Sequence, residues 1–254
     1  MASVEYSMDE RAVATITLNR DEKRNALTSE MGTRLLASFE QAEQQSARAV
    51  ILRANPGVSV WCAGHDLAEL EPDNLLEDNT TLKVCRHMQS MPVPVVAMVE
   101  GSVYAAGMLL LVYSDMVVAS KNAEVAITSK KLGIPLPAEL YAYWLRVMGL
   151  HKAKEMLFTA GTLSAQDAYV AGLYNHVVDA AELEATTEKL VERMLECSPA
   201  GISNAKWQLN ALAAQTGLDG EQQAEFQQRN EQLLASPEVR ERITKVLDSL
   251  RAES

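Results

Sequence analysis

Residues 99–115 read VEGSVYAAGMLLLVYSD. The apolar run that leads into them, PVPVVAMVEG (92–101), has the continuous hydrophobicity of a strand buried on both faces. Gly101, Ala105, Ala106 and Gly107 are small enough to let the backbone approach a ligand, and a helix is predicted from about Ala105. Backbone N–H groups at such a helix start point outward unpaired, and the dipole there favours negative charge. The turn that follows, Met108-Leu109-Leu110-Leu111, holds no side chain that moves a proton. The stretch offers a place to bind and no acid or base beside it.

An earlier stretch repeats the logic. In VWCAGHDLAEL (60–70) a strand ends, Ala63-Gly64 makes a tight turn, and a short helix is predicted to begin near His65-Asp66. Two such starts facing each other would present two main-chain donors to one oxygen, the arrangement of an oxyanion hole. Around these turns, SVEYSM (3–8) and AVATITL (12–18) read as a hairpin, and AVILRA (49–54), MVVAS (116–120) and EVAI (124–127) as further strands. LTSEMGTRLLASFEQAEQQ (27–45) reads as a helix with Met31, Leu35 and Phe39 on one stripe and Thr28 or Ser29 as its cap, and TLKVCRHMQSM (81–91) as another. From about Ala138 the pattern is helical apart from NHVVD (175–179). Ser164, three residues before Asp167, caps one of these helices, with Gly172 as its stop. Three helical patterns close the chain, marked by Ile202, Ala205, Leu209 and Leu212, then by Phe226, Leu233 and Leu234, then by Val239, Ile243, Val246 and Leu250 after Ser236-Pro237. Strands crossed by helices and followed by an all-helical tail predict an α/β core at 1–197 and a helical C-terminal region at 198–254. That tail has little core of its own, so it is expected to pack on the main domain or on a neighbouring subunit.

Composition narrows the function. The chain has 254 residues, 48% of them hydrophobic, and a formal charge of −11, which disfavours a nucleic-acid partner. Its first residues lack the apolar segment of a secretory signal and no apolar run reaches membrane-spanning length. Cys62, Cys85 and Cys197 are widely spaced without a C-x-x-C pair, as expected of free thiols in a reducing cytoplasm. The cations Arg20, Lys23 and Arg24 cluster in LNRDEKRNAL (18–27), where they suit a solvated loop or a phosphorylated ligand. His87, His151 and His176 have no neighbours that suggest a metal site.

Taken together, LNRDEKRNALT (18–28), WCAGHDLAEL (61–70), VEGSVYAAGMLLLVYSD (99–115), KLGIPL (131–136) and EMLFTAGTLSAQDAYVAGLYNHVVD (155–179) resemble, in order, the signatures of the crotonase (enoyl-CoA hydratase/isomerase) superfamily. The likeness spans essentially the whole chain, and ILRANPGVSVWCAGHDLAEL (51–70), MVEGSV (98–103) and GLYNHVVDAAELE (172–184) look nearest to methylmalonyl-CoA decarboxylases. The resemblance implies a crotonase fold of repeated ββα turns with a helical C-terminal region that serves trimerisation or closes the site. It implies assembly as a homotrimer or a dimer of trimers. It also implies an acyl-CoA ligand, with coenzyme A entering as part of the substrate and no separate cofactor. By motif position the thioester oxygen sits between the N–H groups of His65 and Ala106. The same carry-over assigns CoA and substrate contacts to Lys23, Arg24, Ala63, His65, Asp66, Leu67, Ala68, Glu69 and Thr128.

The departures matter as much as the likeness. Hydratases of the family add water with two glutamates, and the matching positions here are Leu109 and Ser129. The decarboxylases carry a glutamate at the position of Leu109 and a tyrosine at that of Leu136. Ala106 stands where glycine is usual. Losing positioned acid–base groups removes about 10²–10⁴ in rate, whereas an oxyanion donor retains about 10²–10³. Loss of CO₂ from a malonyl-type thioester generates an enolate without prior proton abstraction, so that chemistry survives these changes. Glu139 is the first candidate for a replacement acid or base, and it equally suits a surface helix start. Tyr104, Tyr141 and Tyr143 suit either packing or proton transfer. Lys130 and Lys131 suit solvent, CoA phosphates or a substrate carboxylate. His65 can act through its N–H or its imidazole. Cys62, three residues earlier, reads as a small buried residue more readily than as a nucleophile. Other readings remain at this level: a non-catalytic acyl-CoA binder, an isomerase using Glu139, or an enzyme of a non-CoA ester or diketone.

Overall fold

Strands Val4–Met8 (β1) and Val13–Leu18 (β2), the second rich in β-branched residues, pair antiparallel with Val4 opposite Leu18. This computed structural model describes residues 2–69, 80–215 and 217–252. Helix α1, Ser29–Gln44, begins where Thr28 Oγ1 accepts the Met31 N–H at 3.1 Å, and it buries the predicted stripe of Met31, Leu35 and Phe39. The chain continues through Ala49–Ala54 (β3), Val60–Cys62 (β4), Thr80–Ser90 (α2), Val95–Val99 (β5), Ser102–Tyr104 (β6) and Gly107–Val112 (α3). Met116–Ser120 (β7), Val125–Ala126 (β8) and Ala138–Thr159 (α4) complete the next turn. Ser164 Oγ accepts from the Asp167 N–H at 3.1 Å to cap Ala165–Val170 (α5), which is followed by His176–Val178 (β9) and Leu183–Leu195 (α6). The tail is Pro199–Ala213 (α7), Gly220–Ala235 (α8) and Pro237–Ala252 (α9).

Two sheets organise these elements. The larger runs β1-β2-β3-β5-β7-β9, parallel from β2 onward, and the smaller runs β4-β6-β8, also parallel. Each pair β3β4, β5β6 and β7β8 therefore sends its first strand into the large sheet and its second into the small one. That is the repeated ββα turn of the expected fold. Strand β6 is absent from the sequence reading, because three residues are too few for an alternation to register. Gly101 makes the corner before it at φ 86°, where an added Cβ would lie 2.6 Å from the Val58 carbonyl oxygen.

Every residue of β5 is buried, because both faces of the large sheet are covered. One face packs on α1 to α4. The other packs Val13, Ile51, Val96 and Val118 against Leu183, Val191 and Met194 of α6.

The helical tail is tied to this core by polar bonds as well as packing. The nearly buried Lys206 of α7 donates to the Val93 carbonyl and pairs with Asp115, both at 2.8 Å. In α8, Asn230 donates to the Leu136 carbonyl at 3.2 Å. In α9, Val239 and Ile243 are buried, and Val239 lies over Gly133, where a Cβ would approach its Cγ2 to 2.6 Å. Part of the predicted α7 stripe is not buried: Leu209 and Leu212 stand 66% and 60% exposed, beside Trp207 at 68%. Among the described residues no helix is long and apolar enough to cross a membrane.

Gly101→Ala meets both a strained φ and a carbonyl wall, while Gly57→Ala, at φ 81° with nothing within 4 Å, meets the strain alone. Left-handed strain costs about 1–3 kcal/mol, so Gly101→Ala is expected to lower the urea midpoint clearly more than Gly57→Ala does. Equal midpoints would contradict the close approach at the β5–β6 corner.

Candidate functional site

The paired strands β4 and β6, with Cys62 opposite Val103, deliver the two loops predicted to bind into direct contact. Gly64 sits at φ 94°, and a Cβ there would lie 2.8 Å from the Ala105 Cβ and 3.0 Å from the Ala106 nitrogen. A glycine is required at this point by both its dihedral and its neighbour. Below it, Gly107 packs on Cys62, whose Cβ and Sγ would lie 2.9 Å from an added methyl group.

The direction of each candidate donor follows from peptide planarity. Among the described residues no peptide bond is cis, so an amide N–H points opposite to the carbonyl of the preceding residue. The Gly64 carbonyl accepts from Leu27 N–H at 2.7 Å, so the His65 N–H is aimed away from the 24–28 segment. The Ala105 carbonyl accepts from Met108 N–H at 3.1 Å, so the Ala106 N–H points out of the start of α3. Ala105 reaches this geometry at φ 47°. No partner of the Ala106 N–H is present among the described residues. The helix predicted near His65-Asp66 takes a different form. His65 forms a parallel β-bridge with Leu27, and a 3₁₀ turn follows only at Leu67–Glu69. Residues 70–79 lie outside the described residues. The His65 donor is thus oriented by strand-like pairing, not by a helix start.

Both loops open onto a cavity of about 950 Å³. Of the predicted contacts, Lys23, Arg24, Ala63, His65, Asp66, Leu67, Ala68, Ala106 and Thr128 line it, and so do Leu109 and Ser129, the positions without family carboxylates. Glu69 does not; its carboxylate accepts the Ser29 N–H at 2.7 Å, capping the start of α1. Glu139 also lies outside the lining, paired with Arg86 at 2.9 Å. The tyrosines Tyr104, Tyr141 and Tyr143 are elsewhere too. Tyr143 packs at a tilt against Tyr113 and accepts from Gln89, while Tyr141 packs on Phe226 and accepts from Lys130. Lys131 lines the cavity, but Lys130 turns back to the Ile134 carbonyl at 2.7 Å, and burial pushes its ammonium down to about 8. Sequence reasoning expected a tail that closes the site but named none of the α9 residues that line the cavity, Val246, Leu247, Leu250 and Arg251. Their helical periodicity was legible; the surface they meet was not.

The electrostatics are graded from mouth to floor. Exposed Lys23, Arg24, Lys131 and Arg251 ring the opening of a protein whose net charge is −11, whereas Leu82, Leu109, Ile127, Leu140 and Trp144 are buried. Asp66 is held by Arg20 at 2.7 Å and accepts the Ala68 N–H at 3.1 Å. Burial lowers the pKa of the His65 imidazole below its ordinary 6.5, with Glu69 opposing the shift, so the ring is neutral at pH 7. Among the described residues no cluster of three His, Cys, Asp or Glu is suited to a metal ion.

Parallel ββα turns, two opposed glycine-dependent loops and a cation-rimmed cavity define a crotonase-fold protein. The chain belongs to the enoyl-CoA hydratase/isomerase family, whose pattern it matches over residues 8–249. It is 34% identical over 203 residues to the methylmalonyl-CoA decarboxylase of Escherichia coli K12, covering 79% of this chain and 78% of that one. A solved methylmalonyl-CoA decarboxylase in complex with 2-nitronate-propionyl-CoA superposes with a TM-score of 0.93 at 29% identity, covering 98% of this chain and 96% of that one. An enoyl-CoA hydratase from Mycobacterium avium subsp. paratuberculosis K-10 superposes at 0.80 with 26% identity, covering 96% and 98%.

Thiol labelling tests how Cys62 is buried. Burial pushes the Cys62 thiol up to about 12 and raises that of Cys85 as well, while Cys197 is exposed. A maleimide at pH 8 is therefore expected to modify Cys197 alone until the chain is unfolded. Rapid native labelling of Cys62 would contradict its place beneath Gly107. His65 gives stability a pH dependence of definite sign. Because its folded value is depressed, the unfolded chain binds the proton first, so its contribution to stability is full above about 6.5 and falls with pH below it. An imidazole resonance titrating at or above 6.5 would contradict this burial.

Proposed function

We propose that this chain is an acyl-CoA enzyme that stabilises a thioester enolate and releases CO₂ from a malonyl-type acyl group, as a lyase and not as an efficient hydratase. The observation that carries the reading is the contact between the Gly64–His65 and Ala105–Ala106 loops at the wall of a cavity whose acid–base positions are Leu109 and Ser129. In this reading the thioester oxygen accepts from the N–H groups of His65 and Ala106. The bond between the α-carbon and the carboxylate breaks, its electron pair moves into the thioester, and the carbonyl oxygen gains the enolate charge that the two donors hold. Collapse of the enolate takes a proton onto the α-carbon. Since the His65 imidazole is neutral near pH 7, water is the proton source we assign. Lys23, Arg24 and the 65–68 segment would lie along coenzyme A, with Thr128 near the acyl group.

Several observations support this choice among family chemistries. A relative's complex holds a nitronate-bearing acyl-CoA, and a nitronate is a planar anion of the charge type of a malonyl carboxylate. Glu139, which an isomerase reading would use, is paired with Arg86 outside the cavity lining. The exposed Trp207, Leu209 and Leu212 of α7 suit burial in a homotrimer or a dimer of trimers. A cytoplasmic location fits three free thiols. The missing carboxylates also favour a second reading, a protein that binds acyl-CoA without turning it over.

Methylmalonyl-CoA or malonyl-CoA is expected to lose CO₂ measurably faster than crotonyl-CoA is hydrated. Gly64→Ala, which forces the two loops apart, is expected to lower that rate by about 10² or more while the circular dichroism stays native. Fast hydration would overturn the lyase reading, and tight binding across an acyl panel without turnover would replace it with the binder.

A further inference from the structure

The cations Arg20, Lys23 and Arg24 stand together in the sequence, and the fold separates them. Lys23 and Arg24 line the cavity mouth, whereas Arg20 lies outside the lining with its side chain 21% exposed. One guanidinium nitrogen, Nη1, donates to the Ala26 carbonyl at 2.9 Å and to Asp66 Oδ2 at 2.7 Å. The backbone of Arg20 is fixed as well. Its N–H donates to Oδ1 of the fully buried Asn25 at 2.7 Å, and its carbonyl accepts the Asn25 N–H at 2.9 Å. From Ala26 the bonds lead on to His65. The Ala26 carbonyl and the Leu27 N–H belong to one planar peptide unit and point in opposite directions. Leu27 N–H donates to the Gly64 carbonyl at 2.7 Å, and that carbonyl shares its own peptide unit with the His65 N–H. Arg20, two peptide planes and the His65 N–H therefore form one series. The other flank of His65 is tied to the same residue: Asp66 donates its N–H to the Leu27 carbonyl at 2.9 Å while its carboxylate accepts from Arg20.

We infer that Arg20 is a positioning residue for the oxyanion donor of His65: by holding the Ala26 carbonyl and Asp66 it fixes the plane of the Gly64–His65 peptide, and with it the direction of the N–H. The inference rests on the reading in which a thioester oxygen accepts from this N–H, and it names the group that stands behind the donor. An oxyanion donor gives its full stabilisation only when it is aimed before charge develops. An ionised donor makes the stronger kind of hydrogen bond, so the guanidinium is the firmest link of the series. Its rigid fork also serves two acceptors at once, which joins the 20–27 segment to the His65 loop. The Ala106 donor needs no such support, since the Ala105 carbonyl before it is held by Met108 N–H within the start of α3.

The test uses the intact protein with [1-¹³C]propionyl-CoA, a thioester with no carboxylate to lose. Its infrared carbonyl band should move to lower frequency on binding, because hydrogen bonds to the oxygen weaken the C=O bond. Arg20→Met is expected to lose about half of that shift. With methylmalonyl-CoA, its kcat is expected to fall about tenfold while KM stays within about twofold, the pattern of an interaction realised in the transition state. Arg20→Lys keeps a cation without the fork, and its band is expected between those of the native protein and Arg20→Met. A native band position in Arg20→Met would overturn the inference, as would a loss confined to KM or to the urea midpoint. If Arg20→Met folds poorly, Arg20→Lys carries the comparison alone, and a native band there overturns the inference. Failure of the underlying reading looks different. An unshifted band in the native protein, or no binding of the thioester, removes both. An Arg20-dependent shift without CO₂ release from methylmalonyl-CoA removes the lyase reading and leaves this inference standing.

Discussion

The rest of this structure depends on one close approach: the backbone of Gly64 against Ala105 and Ala106. An added Cβ at Gly64 would stand 2.8 Å from the Ala105 Cβ, nearer than nonbonded carbons approach. Only a glycine lets the two loops meet, and only their meeting puts the amides of His65 and Ala106 at one cavity wall. The small sheet exists in service of this contact. Its strands are two or three residues long, too short to be stable as a unit. They are held because each continues directly from a strand of the large sheet. The large sheet is in turn buried on both faces, so a misfit at Gly64 would distort the loops locally before the core gave way.

The cavity combines a mouth that favours anions with an apolar floor. Cations ring its mouth in a protein of net charge −11, so the favourable field for an anion is local and short-ranged. The tail helices contribute to both ends of the cavity. Through Val239 on Gly133 and Arg242 on the Lys131 carbonyl at 3.2 Å, α9 is docked on the loop that carries Ser129, and this seats Leu247 and Leu250 in the wall. The same chain segment therefore closes the cavity and stiffens the loop beneath it, while α7, earlier in the tail, keeps its apolar residues outside.

Much of this was legible in the sequence. Hairpin, strand runs and helix caps follow local rules, and Thr28 and Ser164 cap where their positions predict. The two loops that reach the cavity, at Ala63–Ala68 and Ala105–Leu109, were legible because small residues clustered at a strand end serve little purpose except close backbone approach. What stayed hidden was decided by long-range contacts. The geometry at His65 comes from a bridge to Leu27, 38 positions away along the chain by its numbering, which no local pattern announces. Glu69 and Glu139 looked available because carboxylates near a motif usually are, yet the α1 N-terminus and Arg86 claim them. Arg20 looked like one more cation of a cluster. Its place behind the His65 loop becomes visible only when every neighbour's bonds are traced.

The distribution of carboxylates decides which bond this site is equipped to break. Asp66 is the one Asp or Glu lining the cavity among the described residues. Its half-buried carboxylate is engaged by Arg20 at 2.7 Å. Using it as a base would mean breaking that pair and carrying a charge into an apolar wall, a cost that positioned acid–base catalysis does not offset. A reaction that begins with proton abstraction is therefore handicapped at its first step. In the proposed reading, a reaction that begins with departure of a neutral molecule needs only somewhere for the electrons left behind, and the two amides at the glycine contact would supply it. The glutamate at the position of Leu109 and the tyrosine at that of Leu136 that the decarboxylases carry are absent here too, so the proposed reading leans on the two amides alone.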